Sequence, residues 1–402
     1  MKFIHTADLH LDTPFRGLQI EDTEILKKIR NSTFEAFTNI VDVAIKQEID
    51  FMIIAGDLYD SDVQSVSAQL FLSKQFNRLK SEGITVYVIL GNHDFAKSQV
   101  GNFEFPDNVF VFPSNIKSFY HTAKDGTKVE LVGFSYEDRW ITEDLADKYP
   151  KRHSDVDYTI GLLHGALRKG QSDNYAPFTK DELLDKGYNY WALGHIHERQ
   201  VLNENPYIIY PGVPQGRSIK EDGPKGFYLV EADRHETNAT FLPSAKIEWD
   251  RIKVDGRSLT SMSDVEREIE LSLNELSKTV SHFVEVTIKN ANNLPLTVVK
   301  SIEDDSFAGG LAPKEFEDNY TIVIKINVQI TKSDVFSELD QTFWNESAEQ
   351  IFSTENVEAE VLPLLKNYRF LQDLVRDPDF LSSLKNETFE LINERKSEND
   401  QS

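Results

Sequence analysis

Short apolar runs that stop abruptly at polar side chains recur through the first 230 positions of the sequence. Residues 84–90 are mostly β-branched and flanked by Gly83 and Gly91, the signature of a buried strand. Residues 2–6, 51–55, 129–134, 158–163 and 190–193 read as strands of the same kind. Residues 208–210 and 227–230 read as closing strands of that domain, and 96–125 as a looser, turn-rich stretch. Helical spacing appears between them. Ile25, Ile29, Phe37, Ile40, Val41 and Ala44 predict a helix over 23–46, and Leu72, Phe76 and Leu79 another over 64–80. Val66, Leu70 and Phe71 give the second helix a further apolar flank. Strands alternating with helices at this spacing indicate βαβ units and an α/β core.

Near residue 244 the texture changes. Residues 247–254 and 283–289 are strand-like, and Ile322, Ile324, Ile326, Val328 and Ile330 alternate with other residues as in a half-exposed strand. Ser263 and Glu266 have capping-box spacing ahead of Val265, Ile269, Leu273 and Leu276. The acidic stretch 301–319 reads as a mobile loop. From Ser333 the pattern is helical, with stripes at Phe336, Leu339 and Phe343 and at Leu364, Tyr368, Leu371 and Val375. Asp377 and Pro378 suit the N-cap and N1 positions of a last helix. The expected organisation is a catalytic domain over 1–244, a small α+β cap over 245–332, a helical region over 333–392 and a disordered tail over 393–402.

Composition narrows the classes. No stretch approaches the ~20 apolar residues a membrane span requires, and the first residues run straight into a strand without a secretory pattern, so a cytoplasmic protein is expected. With no cysteine, disulfides, thiolate metal sites and cysteine nucleophiles are excluded. A net charge of -24 conflicts with autonomous duplex binding, which draws on Lys and Arg contacts to phosphates. Either a local basic groove grips nucleic acid or a partner supplies the affinity.

The chemistry lies where the strands stop. Asp8 and His10 follow the first, Asp57 the second, and Asn92, His93 and Asp94 the third. His164 follows the 158–163 run, and His195 and His197 the 190–193 run. In open α/β sheets ligands bind beyond the carboxyl ends of strands. Hard oxygen and imidazole donors with one shared carboxylate are what a two-metal hydrolytic site needs. Five of the ten histidines lie in these stretches; His5, His121, His153, His235 and His282 read as surface or core residues.

Asp8-x-His10, Gly56-Asp57, Gly91-Asn92-His93-Asp94, His164 and Gly194-His195-x-His197 resemble the motif set of the calcineurin-like metallophosphoesterases. The resemblance covers roughly residues 1–230. The stretches 4–11 and 56–60 are similar to those of the DNA-repair exonuclease branch, the bacterial SbcD-type nuclease subunits, which work with an SMC-like ATPase of the SbcC type. It implies a four-layer α-β-β-α sandwich, a homodimer and two divalent ions, most often Mn2+. By position, Asp8, His10, His197 and bridging Asp57 hold one ion; Asn92, His164, His195 and Asp57 hold the other. His93 is then the general acid for the leaving 3′-oxygen or orients the phosphate, with Asp94 steering it.

Asp60 stands where some relatives carry a second histidine; it either contacts the site or, the preferred reading, caps the following helix. Arg139, Arg168, Lys169, Arg217 and Lys220 are candidates for gripping DNA. The 64–80 helix either packs between sheet and neighbouring helix or forms a dimer face, and the later stripes pack on each other or on an ATPase coiled coil. Three functions are therefore weighed: a manganese-dependent DNA nuclease of an SMC-like complex, a small-phosphodiester or nucleotide hydrolase, and a non-catalytic scaffold. An intact ligand set disfavours the last.

Overall fold

The computed structural model describes residues 1–15, 23–60, 65–94, 104–168, 174–303, 307–308, 311, 314–316 and 318–330, and isolated positions beyond. Residues 1–329 form one compact unit and 330–402 a second. Almost all of the predicted helical region 333–392, and the predicted tail 393–402, lie outside the described residues.

Four parallel strands form the middle of the first sheet: β1 (Lys2–Thr6), β2 (Phe51–Ala55), β3 (Thr85–Ile89) and β4 (Val109–Val111). Antiparallel β11 (Gly226–Ala232) and β12 (Thr237–Pro243) extend it beyond β1. The second sheet runs β5 (Lys117–Thr122), β6 (Lys128–Gly133), β7 (Tyr158–His164), β8 (Tyr190–Gly194), β10 (Tyr207–Tyr210) and β9 (Gln200–Glu204). Its middle strands β6, β7, β8 and β10 are parallel, and its two edge strands antiparallel.

Strand periodicity builds the layers. Phe51 and Ile53 of β2 point to the second sheet, where they meet Leu131, Ile160, Leu162 and Tyr190. Met52 and Ile54 point the other way, onto Phe37, Ile40 and Val41 of α1 (Thr23–Lys46) and Leu72, Phe76 and Leu79 of α2 (Val66–Ser81). Burial on both faces is why these strands read as continuous apolar runs. Outside the second sheet, Phe134, Leu163, Trp191 and Leu193 pack on Tyr149, Phe178 and on Leu183 of α3 (Lys180–Asp185). The result is the four-layer α/β/β/α sandwich that the motifs imply.

A third sheet follows: β13 (Ile247–Asp255), β14 (Ser281–Lys289) and β16 (Asn319–Gln329) are parallel, and β15 (Lys314–Phe316) edges β16. One face packs on α4 (Met262–Asn274) and α5 (Leu296–Glu303). Its other face brings Ile247, Trp249, Phe283 and Tyr320 onto Ile25 and Ile29 of α1.

Several expectations are corrected. The 96–125 stretch contains β4 and β5, and β9 and β12 had no sequence signal, because short or edge strands carry mixed side chains on their open faces. Stretch 301–319 begins in α5 and contains β15. The α4 cap is Ser261, whose Oγ accepts from the Asp264 amide, two residues before the expected box. The β16 alternation does not define one face. Its pairing with β14 shifts between Val284 and Glu285, so Ile322 and Ile324 face the α1 side while Ile326 and Val328 face α4 and α5. In α2, Phe71 packs on Phe34 and Phe37, whereas Val66 and Leu70 are exposed.

Candidate metal centre

The carboxyl ends of β1, β2, β3, β7 and β8 meet at one end of the sandwich, and bring together every site residue marked in the sequence. Three backbone bonds tie the first two loops: the Asp8, His10 and Leu11 amides donate to the Gly56, Asp57 and Leu58 carbonyls. Asp8, His10, Asp57 and His195 all hold φ between 43° and 98°, a region costing about 1–3 kcal/mol per non-glycine residue. Such strain collects where side-chain direction matters more than backbone comfort. Gly56, with φ +95°, precedes Asp57 because a Cβ there would lie 2.2 Å from His164 Nδ1. A Cβ on Gly91 would lie 2.2 Å from Asp57 Oδ1.

Asp57 occupies the middle. Its Oδ2 is 3.4 Å from His164 Nε2 and 3.8 Å from His10 Nε2, and its Oδ1 accepts from the His93 amide. On one side His10 Nε2 faces His197 Nε2 at 3.1 Å. On the other, Asn92 Oδ1 lies 3.0 Å from His164 Nε2 and 3.1 Å from His195 Nδ1. Donor atoms of Asp8, His10 and His197, and again of Asp8, Asp57 and His164, fall within 4.8 Å of one another. Asp8 also accepts from the His195 amide, joining the β1 and β8 loops.

The donor set fits divalent cations: carboxylate and amide oxygens and imidazole nitrogens converge, and two imidazole nitrogens crowd head to head. Electrostatics agree. Burial works against a charged His164, yet the Asp57 and Asp8 carboxylates raise it to about 9. Burial and His164 lower His195 to about 3, and burial and Arg217 hold His10 well below the ordinary imidazole value. Positive charge is thus favoured beside Asp57, while the outer imidazoles keep lone pairs for ligation.

His93 is partly exposed at the cleft. Its Nδ1 lies 2.9 Å from the Asp60 carbonyl, which can only accept, so Nε2 is the nitrogen left to exchange protons. The expected steering by Asp94 is not what the chain does. Asp94 is fully buried; its carboxylate accepts from the Leu58 amide at 2.8 Å and the Gly91 amide at 3.1 Å, stapling two site loops. Nor does Asp60 cap α2; Ser65 does. Asp60 Oδ1 instead binds Arg217 Nη1 at 2.7 Å and lies 3.6 Å from His10 Nδ1.

Glu221 and Tyr175 escaped sequence reading. Glu221 Oε1 is 2.8 Å from His197 Nδ1, and Tyr175 packs on the His195 ring with centroids 4.4 Å apart. No strand end precedes either. Burial works to raise Glu221, but His197 and Arg217 hold its carboxyl well below the usual range. Among the suggested DNA-gripping residues, Arg217 serves this network, Arg168 pairs with Asp144, and Lys169 lies outside the described residues. Lys220 and Lys225 line a cavity of about 260 Å³ beside His197. A larger one, about 410 Å³, lies at the opposite strand ends by Arg152, Tyr158 and Tyr207, away from this chemistry.

The other histidines are accounted for differently. His5 is buried, bonded to the Tyr190 hydroxyl and the Leu193 carbonyl. His121 meets Tyr87, His153 meets Glu130, His282 meets Asp250, and His235 is exposed. Among the described residues, no helix is long and apolar enough to cross a membrane.

Known proteins resemble this arrangement. The calcineurin-like phosphoesterase family model matches residues 1–199. An uncharacterized metallophosphoesterase of Bacillus subtilis, YhaO, is 42% identical over 284 residues, 69% of this chain and 69% of that protein. The DNA double-strand break repair protein Mre11 of Sulfurisphaera tokodaii is 25% identical over 50% of each chain. That of Methanococcus maripaludis is 27% identical over 57% of this chain and 62% of its own. The chain thus spans half to three-fifths of these two Mre11 proteins. A solved dimetal phosphatase from Danio rerio aligns with TM-score 0.36 and 9% identity, over 60% of this chain and 98% of that one, a likeness that carries no functional weight. With the 42% identity and the converging strand-end ligands both in hand, the chain belongs to the calcineurin-like metallophosphoesterases.

Proposed function

We propose that the protein is a two-metal phosphodiesterase acting on DNA, the nuclease subunit of a repair complex whose SMC-like ATPase partner supplies much of the DNA affinity. The observation that carries this reading is the convergence of six candidate ligand side chains around Asp57, with His93 beside them at the cleft. Similarity to two Mre11 repair proteins supports DNA as the substrate.

Asp8, His10, His197 and Asp57 would hold one ion, and Asn92, His164, His195 and Asp57 the other. Bound there, two divalent ions, with manganese proposed, supply an activated water and neutralise charge on the phosphoryl group. The chain does the rest. Asp57, fixed by the His93 amide, keeps the two ligand sets in register. His93, anchored through Nδ1, presents Nε2 to the leaving oxygen and delivers its proton. Asp94 holds the second and third loops together beneath it. A homodimer through the exposed Val66 and Leu70 of α2, and a cytoplasmic location, belong to the same proposal.

A second reading, hydrolysis of a small phosphodiester or nucleotide, draws on the net charge of -24 and on the internal pairing of Arg168 and Arg217. Purified protein with Mn2+ is offered end-labelled duplex DNA and bis-p-nitrophenyl phosphate in parallel, with and without the ATPase. Cleavage of the DNA is expected. Turnover of the small diester alone in both conditions would replace the first reading by the second.

A further inference from the structure

The two ligand sets are backed by different chemistry. His164 turns Nδ1 to the neutral Ala55 carbonyl at 2.9 Å, with the Asp8 carboxylate farther off at 3.9 Å. His195 has its Nδ1 against Asn92 Oδ1, a member of the same ligand set rather than a group behind it. His197 instead has a carboxylate hydrogen-bonded behind it, Glu221 at 2.8 Å from Nδ1, and Asp60 stands 3.6 Å from the buried His10 Nδ1, within ion-pair reach but not hydrogen-bonded to it. Arg217 Nη2, which can only donate, also lies 3.0 Å from His197 Nδ1. The shorter contact is to the Glu221 carboxylate, which can only accept, so Nδ1 donates there and the lone pair is left on Nε2, facing His10.

Arg217 joins the two carboxylates. Nη1 donates to Asp60 at 2.7 Å, while Nη2 donates to Glu221 Oε1 at 2.9 Å, the oxygen that His197 also uses. Glu221 Oε2 accepts from the Arg217 amide, closing the turn. The three side chains are 12–21% exposed, and together they carry one net negative charge, so the guanidinium does not cancel the attraction for a cation. The turn is itself held from outside: the Gly216 carbonyl accepts from Trp249 Nε1, and Ile219 packs with Ile247 and Trp249.

A carboxylate behind an imidazole fixes its orientation and raises its basicity more than a neutral partner does. We infer that Arg217, Asp60 and Glu221 are positioning residues that make the Asp8–His10–His197 position the tighter of the two cation sites. The Asn92–His164–His195 position is then the exchangeable one. This rests on the two-cation reading proposed above.

The test is Mn2+ titration of the metal-free full-length protein, followed by the electron paramagnetic resonance of free Mn2+ and by calorimetry. Wild type takes up two ions with separable affinities. Glu221→Gln and Arg217→Met each weaken the tighter step about 10–100-fold and leave the weaker one in place; Asp60→Asn weakens the same step by less. Asn92→Ala affects only the weaker step. Circular dichroism checks the fold, and if Arg217→Met does not fold, the shape-preserving Glu221→Gln and Asp60→Asn decide. The inference is overturned if the tighter step is unmoved in these variants, or if both steps weaken equally. A wild type that binds fewer than two ions would instead sink the two-cation reading.

Discussion

In the two-sheet core, the five strands that lead to the site are 5, 5, 5, 7 and 5 residues long, and each runs out at the same end into a ligand-bearing loop. In the small sheet, the three parallel strands run for 9, 9 and 11 residues. That sheet has its own titratable trio, Glu248, Asp250 and His282, but β13 and β14 stay in regular register there. Both His282 nitrogens are engaged, by Asp250 and the Ser277 carbonyl. The difference is one of geometry rather than composition. Chemistry gathers where short strands stop together and loops accept left-handed backbone to aim side chains inward. Longer strands paired along their length give a platform, here one that props the loop carrying Arg217 and Glu221.

Mutations at the strand ends should therefore change chemistry, and mutations in the platform should change stability. The largest effect is expected from Asp57→Ala: both ions are lost and hydrolysis falls to background, as elemental analysis beside a turnover assay would show. Two ions retained would remove Asp57 from the bridging position. His93→Ala comes next, with turnover down about 10²–10⁴-fold and metal content intact; unchanged turnover would strip His93 of its proton-transfer role.

Trp249→Ala tests the platform. The side chain is 3% exposed and packs on Phe283, so unfolding in guanidinium should cost about 3–5 kcal/mol less. A loss below about 1 kcal/mol would show that this contact does not hold the platform together.

His5 probes the core beneath the site. Burial lowers its imidazole from 6.5 to about 3. Between those values the unfolded chain binds a proton that the native chain refuses, so stability present above pH 6.5 is lost as pH falls, by up to about 1.4 kcal/mol per pH unit. His5→Gln should flatten that part of the stability profile; an unchanged slope would assign it elsewhere. The smallest effect belongs to Leu70→Lys, 60% exposed in the native chain. Stability should move by no more than about 0.5 kcal/mol, while the dimer proposed through α2 should sediment as monomer. A dimer that survives places its interface away from α2.

Much of this was written locally. Apolar runs bounded by glycine specify strands buried on both faces, and the polar residues just after them, Asp8, Asp57, Asn92, His164 and His195, mark one end of each. Why Gly56 and Gly91 must be glycine is not local, since a Cβ on either would strike His164 or Asp57, side chains that only the fold brings there. What an isolated stretch cannot encode is which side chain faces which. Asp94 follows His93 directly, yet the loop turns its carboxylate onto the Leu58 and Gly91 amides, and a carbonyl from the β2 loop anchors His93 instead. Glu221 lies 24 residues from His197 and is announced by no motif. Asp60 looked like a helix cap until Arg217, 157 residues away, claimed it.

The sequence by itself determined the α/β class of the core and the inventory of candidate ligand side chains, because continuous apolar runs and abrupt strand ends are properties of neighbouring residues. Only the tertiary structure decided which carboxylate backs which imidazole, and that the β16 pairing would turn one strand toward two cores. Those outcomes depend on distances between segments far apart in the chain, and no local pattern carries them.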